Sequence, residues 1–394
     1  LLEKKWYHNN MKDDLRKIDK LLLFLVTLMC IFGLVMIYSA SSVSTILRYN
    51  FAPNHFFIRQ LIVLVVGFIA GFFVTIFPTN RYKFLAYLYS FGILILLMYV
   101  LVKGKVAGNA QSWIAIGPFN LQPSEFAKSA LILFMAVFYN NLSKRNTKNL
   151  SLYFIPLLLA GVYMLLTLLQ PDWGSAAIIG AIAILTFLSV PMIKKNILKI
   201  IRIFIIGIVV LVLALLYKGD NILSSNKLSR LNFKAPCTRY QEESGYQVCN
   251  ALIAISNGGL FGVGLGQSSQ KYLYLPESHT DMIFPIICEE LGSIVGALTI
   301  LLYGVVLFKI FKIAKKSENL RTSILAYGTF WYFTLHIFIN LFGLLAMIPL
   351  TGVPLPFLSY GGSYTLNAIF LIFVTERVSI ENKKNKLKRE IMSI

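Results

Sequence analysis

The sequence predicts an all-α polytopic membrane protein of about ten transmembrane helices, with both termini cytoplasmic and one long extracytoplasmic loop. Three observations carry this. The 394-residue chain is 57% hydrophobic and only 14% charged, where a soluble domain carries about 25% charge. Its apolar residues gather in runs of roughly 20, the length of a membrane-spanning helix. Its net charge of +20 sits in short connections and tails. That is the bias that orients spans, and it argues against a nucleic-acid partner. No strand periodicity of the β-barrel kind appears.

The runs fall near 20–40, 57–78, 84–102, 126–142, 152–170, 175–192, 197–217, 282–311, 323–348 and 364–380. The first is long enough to stay in the membrane as an anchor, so no cleavable signal peptide is expected. Basic connections, such as Asn80 to Lys83, Ser143 to Lys148, Lys194-Lys195 and Lys312 to Arg321, alternate with poorly charged ones. Both tails are basic. An even number of spans with both ends cytoplasmic satisfies all these biases together. The organisation expected is a tail over 1–14, a transmembrane domain over 15–380 and a basic tail over 381–394. Residues 1–10 precede Met11 and carry no argument.

The outer face then receives 41–56, 103–124, 171–174, 218–281 and 349–363. The 218–281 loop is the longest. Val248, Leu252 and Ile255 share a helical face, which predicts a helix lying at the membrane surface. Gly258, Gly259, Gly262, Gly264 and Gly266 follow as a mobile turn. Cys237 and Cys249 share this loop. In an oxidising compartment they would pair, closing a loop worth about 3 kcal/mol; otherwise they are two free thiols. Cys30 and Cys288 fall in apolar spans, and no Cys/His spacing fits zinc.

Polar chemistry collects at the outer span ends. Arg59-Gln60 stands just inside the second span, where an arginine needs a partner or must snorkel to headgroups. Ser124 and Glu125 suit the start of the fourth span. Lys128, three residues on, shares a face with Glu125, so the two either pair or face a ligand. Asp172 stands at another helix start. Residues 351–363 are rich in Pro and Gly, a backbone tolerated at membrane depth only against protein or a cavity. His336 reads as a core histidine. The densest stretch is 271–290, where Pro276-Glu277-Ser278-His279-Thr280-Asp281 runs straight into an apolar span holding Glu289 and Glu290. An ionisable residue there is a functional-site hypothesis by default.

These segments resemble one family. Phe56-x-x-Arg59-Gln60, NLQPSEFAK at 120–128, QPDWG at 170–174, the run from Gly259 to Asp281, EELG at 289–292 and TGVPLPFLSYGGS at 351–363 are similar to SEDS-family motifs, in order and over nearly all of 15–380. Their wording leans towards the FtsW-like branch. Met282 and Trp173 depart from the usual pattern, as does the stretch from Cys237 to Cys249. The resemblance implies a glycosyltransferase polymerising lipid II into β-1,4-linked glycan, in division or elongation. It would act at the extracytoplasmic face of a bacterial cell membrane. The implied partners are a class B penicillin-binding protein and other divisome or elongasome membrane proteins. The catalytic aspartate falls on Asp281. Arg59, Glu125, Lys128, Asp172, Lys271, His279, Ser359 and Ser363 are the expected substrate-binding residues.

The residue types fit that chemistry. A carboxylate can take the proton of an acceptor hydroxyl, and burial would raise its pKa towards a useful value. The leaving pyrophosphate needs countercharge; Lys128, Arg59 and Lys271 are the candidates, with a divalent cation (magnesium or manganese) able to share the task. No organic cofactor is expected. The competing readings are a flippase for the same lipid, which needs ionisable residues in the inner half of the spans, and a non-catalytic scaffold, which has no use for Asp281.

Overall fold

The computed structural model describes residues 11–107, 110–117, 119–145, 150–189 and 233–393. In chain order the helices are α1 (Met11–Arg16), α2 (Lys20–Tyr49), α3 (His55–Ile76), α4 (Tyr82–Lys103), α5 (Pro123–Lys144), α6 (Ile155–Leu169), α7 (Trp173–Leu188), α8 (Glu243–Gly258), α9 (Ile283–Lys315), α10 (Leu320–Leu344) and α11 (Gly362–Met392). Among the described residues, seven helices are long and apolar enough to cross a membrane: α2 to α6, α9 and α10, with a short 3₁₀ turn extending α4 and α6. α7 is apolar but shorter. The span expected near 197–217 lies outside the described residues.

The bundle is built around α5 and α10, the most enclosed of the long spans after which α2 ranks; α3, α4, α6 and α9 present much of their surface outward. Composition explains the placement. α5 carries Ala127, Ser129, Ala130 and Ala136, and small residues let helix backbones approach closely where lipid supplies no hydrophobic drive between helices. α10 adds Gly328, where a Cβ would stand 2.6 Å from Ile132.

Two features depart from the sequence reading. The connection between α4 and α5 carries a small antiparallel sheet, β1 (Lys105–Ala107), β2 (Ala110–Ile116) and β3 (Phe119–Leu121), in that order. The helix of the long loop, α8, packs on α9. It buries Val248, Ala251, Ala254 and Gly258, while Leu252 and Ile255 are half-buried. The face turned to protein is therefore rotated from the one expected to lie on lipid. Cys237, in a 3₁₀ turn ahead of α8, is joined to Cys249 by a disulfide.

The end of the bundle opposite Asp281 is closed by ion pairs. Arg377 bonds Asp14 and Glu381, each at 3.1 Å. Lys309 bonds Asp19 at 2.8 Å, and Glu381 also accepts from the Thr79 backbone at 2.7 Å. Asp14, Glu376 and Arg377 are buried there, more ionisable groups than the apolar pattern of the spans led one to expect.

Candidate active site

The site is assembled by a break in α9. Gly292 has φ 86°, so the helix loses its regular turn there. The backbone partners are exchanged with the glycine-rich loop: Val263 N donates to Glu289 O and Gly264 N to Glu290 O, both at 2.9 Å, while Ser293 N donates to Gly259 O at 2.9 Å. This exchange demands glycine on both sides. A Cβ on Gly292 would stand 2.2 Å from Leu260 O, and one on Gly262 2.3 Å from Glu290 O. The loop read as a mobile turn is thus docked, and its glycines serve close backbone approach.

Two buried carboxylates staple the rest of the loop. Glu289 accepts from Ser269 N (3.2 Å), Ser269 Oγ (2.8 Å), Gln270 N (3.3 Å) and Asn257 Nδ2 (3.3 Å), and from Ser268 Oγ. Glu290 accepts from Ser39 Oγ (2.6 Å) on α2 and pairs with Lys271 Nζ at 3.0 Å. Lys271 also donates to Gly266 O and is almost fully buried. Lys271, one of the three candidate cations for pyrophosphate, is thus paired with Glu290 in this structure.

This scaffold delivers Asp281 to the head of α9. Asn340 Nδ2, from α10, donates to both Asp281 O and Val353 O at 2.8 Å, tying these two segments together. Asp281 Oδ1 lies 3.1 Å from the Thr280 hydroxyl, which is equally close to Glu277 Oε2. Oδ2 looks towards Gly352, whose absent side chain leaves 3.6 Å to the nearest point a Cβ would occupy. Burial, reinforced by the neighbouring Glu277 charge, pushes the Asp281 carboxyl up to about 7. Glu277 is raised too, chiefly by burial.

The other expected residues divide by what they touch. His279 is buried against Phe56 (ring centroids 4.4 Å) and Tyr360 (5.6 Å), and burial lowers it to about 4, so it serves as a neutral aromatic wedge. Its carbonyl accepts from Tyr360 N at 2.9 Å. Asp172 caps α7 through Ser175 N (3.0 Å) and holds Gln122 Nε2 (2.9 Å), which accounts for both its oxygens. Ser359 Oγ accepts from Leu355 N (2.8 Å) and closes its own turn, whereas Ser363 Oγ accepts from Gln122 N (2.9 Å) and ties the start of α11 to the segment ahead of α5. Lys128 donates to Glu125 at 2.7 Å and lies 3.3 Å from His336 Nε2, with all three buried. Arg59 is half-buried beside Tyr360, whose hydroxyl it draws down against the upward push of burial. Arg48, which the sequence reading did not single out, reaches the same rim, donating to Pro276 O at 3.1 Å and lying 3.8 Å from Glu277. Gln60 bonds Thr365 Oγ1 (2.9 Å) and Gly361 N (3.2 Å), fixing the 359–365 turn.

The chemistry this geometry offers is a poised carboxyl on a rigid loop, under a rim carrying two arginines. Comparison with known proteins gives the site its context. Residues 19–384 match the family model of FtsW, RodA and SpoVE, described as cell cycle proteins. The chain belongs to this family. It is 39% identical over 389 residues, 95% of each chain, to the probable peptidoglycan glycosyltransferase FtsW of Bacillus subtilis. It is 36% identical to stage V sporulation protein E of the same organism, covering 92% of this chain and 96% of that protein. The fold matches a chain from a peptidoglycan synthase complex that coordinates polymerization and crosslinking, with a TM-score of 0.72 at 24% identity, covering 93% and 98% of the two chains. It also matches the rod shape determining protein RodA of Thermus thermophilus, with a TM-score of 0.63 at 25% identity and 92% and 96% coverage.

Proposed function

We propose that the protein is a peptidoglycan glycosyltransferase that polymerises lipid II, with Asp281 as general base. The observation that carries the reading is the Asp281 carboxyl itself, buried at the head of α9, tied to α10 through Asn340, and pushed up to about 7 by burial and the Glu277 charge. A base works best when its pKa lies near the working pH. Deprotonated Asp281 takes the proton of the acceptor sugar hydroxyl as the oxygen attacks the donor anomeric carbon. The bond to undecaprenyl pyrophosphate breaks on the opposite face, inverting an α-linked donor to a β-1,4 linkage. Pyrophosphate is a good leaving group and needs countercharge rather than a proton. Arg59 and Arg48 supply it at the rim. Magnesium or manganese would add to it; among the described residues no three His, Cys, Asp or Glu side chains converge as a metal site, so such an ion would draw ligands from the substrate.

In this reading the Asp281 end faces the extracytoplasmic side of a bacterial cell membrane, with ten spans and both termini cytoplasmic, as the basic connections require. A class B penicillin-binding protein is the partner, since glycan strands leaving this site must be crosslinked, and other divisome or elongasome membrane proteins would place the pair. The experiment is polymerisation of lipid II by the purified protein with its transpeptidase, read as glycan length on a gel. Products from the parent and none from Asp281→Asn support the reading. Lipid translocation without polymer would establish a flippase, and neither activity a scaffold.

A further inference from the structure

The core beneath Asp281 holds more polar atoms than partners. Lys128 Nζ donates to Glu125 Oε1 and lies 3.3 Å from His336 Nε2. An ammonium has no lone pair, so Nε2 is the acceptor and the ring hydrogen sits on Nδ1. That Nδ1, Glu125 Oε2, the Tyr332 and Tyr364 hydroxyls, both polar atoms of the Asn367 side chain and Asn340 Oδ1 are buried without a partner. The seven belong to six residues, each no more than 3% exposed. They adjoin one another. Ring centroids of Tyr332 and His336 are 4.5 Å apart and those of His336 and Tyr364 4.9 Å. Tyr332 approaches Asn367, and His336 the Pro354 carbonyl, without closing a hydrogen bond. Tyr332, His336 and Asn340 recur every four residues on α10, and Asn340 holds the Asp281 carbonyl.

A buried donor or acceptor left unpaired costs more than a made hydrogen bond returns, and native structures leave few. The chemistry of the set selects the occupant. Glu125 Oε2 disfavours an anion, and the Lys128 ammonium disfavours a cation. Acceptors (Glu125 Oε2, Asn340 Oδ1, Asn367 Oδ1) stand among donors (His336 Nδ1, Asn367 Nδ2) and hydroxyls that act as either. A small neutral molecule that donates and accepts satisfies them all, and that is water.

We propose that α5, α10 and α11 enclose a binding site for a cluster of ordered waters. It extends from the Asp281 loop down the Asn340–His336–Tyr332 face, and it hydrates the Glu125–Lys128 pair within the bundle. The site does not depend on the polymerase reading. It is tested by X-ray radiolytic footprinting of the full chain in lipid nanodiscs made up in ¹⁸O water. Radicals born from bound water label the side chains beside them. Tyr139 and Tyr163 are internal controls, equally buried, with hydroxyls bonded to Tyr153 O (2.9 Å) and Ser90 O (2.7 Å). Tyr332 and Tyr364 should be labelled several-fold faster than these controls; equal rates overturn the proposal. A second measurement uses Tyr364→Phe and Asn367→Leu. In a dry core each removes an unpaired group and Tm holds or rises. Around a water cluster each strands a water, and Tm falls. A Tm that holds or rises in both variants overturns the proposal as firmly as equal labelling.

Discussion

Replacing Asp281 by asparagine separates its chemistry from its burial, because the two respond in opposite directions. Burial and Glu277 lift the carboxyl from 3.8 to about 7. That displacement of about three units, at about 1.4 kcal/mol each, is on the order of 4 kcal/mol. The sign follows from its direction. Below about pH 4 the carboxyl is protonated in folded and unfolded chains alike, and nothing is lost. As pH rises towards 7 the unfolded chain releases the proton and the folded one keeps it, so stability declines. Above 7 the full cost stands. Asparagine has the same shape, can still accept from Thr280, and is neutral throughout. Asp281→Asn should therefore match the parent in Tm near pH 4 and exceed it at pH 8, with the gap opening between. At pH 8, where the parent carboxyl is deprotonated, polymerisation by the variant should be lower by roughly 10²–10⁴. Thermal unfolding in nanodiscs and a lipid II assay on the same samples measure both. A variant less stable than the parent at pH 8 would mean that the site favours the charged form, which refutes the burial argument. Polymerisation above about a tenth of the parent rate would remove the base role, since it lies outside that range.

Breaking the buried Lys271–Glu290 pair by Glu290→Gln should cost about 3–5 kcal/mol by stranding the lysine, and Lys271→Met with Glu290→Met should recover much of it; additive double-mutant losses would count against a direct pair. Gly262→Ala places a methyl 2.3 Å from Glu290 O at φ 81°. It should undock the loop at a cost of about 1–3 kcal/mol or more, read as faster proteolysis at 260–275 and lost polymerisation. Reduction of the Cys237–Cys249 bridge should lower stability by about 3 kcal/mol, and non-reduced digests should contain the linked peptides; free thiols in protein from an oxidising compartment would contradict the fold of the loop. Activity of the parent should rise with pH through about 7 as Asp281 deprotonates; a profile flat from pH 5 to 9 would be incompatible with it.

The long spans were legible because twenty-residue apolar runs have one stable fate in a bilayer. The three-stranded sheet was not read from the sequence: β1 and β3 are three residues each, too short for alternation to stand out from a loop. The site was legible as a set of expensive residues rather than as a set of roles. A polar group at membrane depth announces that it needs a partner and does not say which one. Glu290 bonds Ser39, 251 residues away, and Asn340 reaches Asp281 across 59; no local pattern reveals either. Lys271 and Glu290 stand 19 apart with a glycine break between them. Only the backbone exchange at Gly292 brings them together. His336 looked like a satisfied core histidine, and its proximity to Lys128 depends on α5 and α10 packing at the bundle centre.

That pattern bears on which charges can meet a leaving pyrophosphate. Of the three cations the sequence offered, Lys271 lies between Glu290 and Gly266 O with 3% of its side chain exposed. Taking it to a phosphate would leave Glu290 buried and unpaired, which costs several kcal/mol. Lys128 is held by Glu125 and faces His336, with 1% exposed, so its charge is balanced before any ligand arrives. Arg59 differs. It stands in the second turn of α3, half-buried, beside the Tyr360 hydroxyl, a neutral group at ordinary pH. Tyr360 itself bonds the His279 carbonyl two residues from Asp281. A guanidinium offers five donors in a planar fork suited to phosphate oxygens, and among the described residues no carboxylate forms an ion pair with Arg59. Arg48 shares the rim but is divided between Pro276 O and Glu277. In the proposed mechanism the countercharge would rest first on Arg59, while Lys128 and Lys271 stay paired with Glu125 and Glu290.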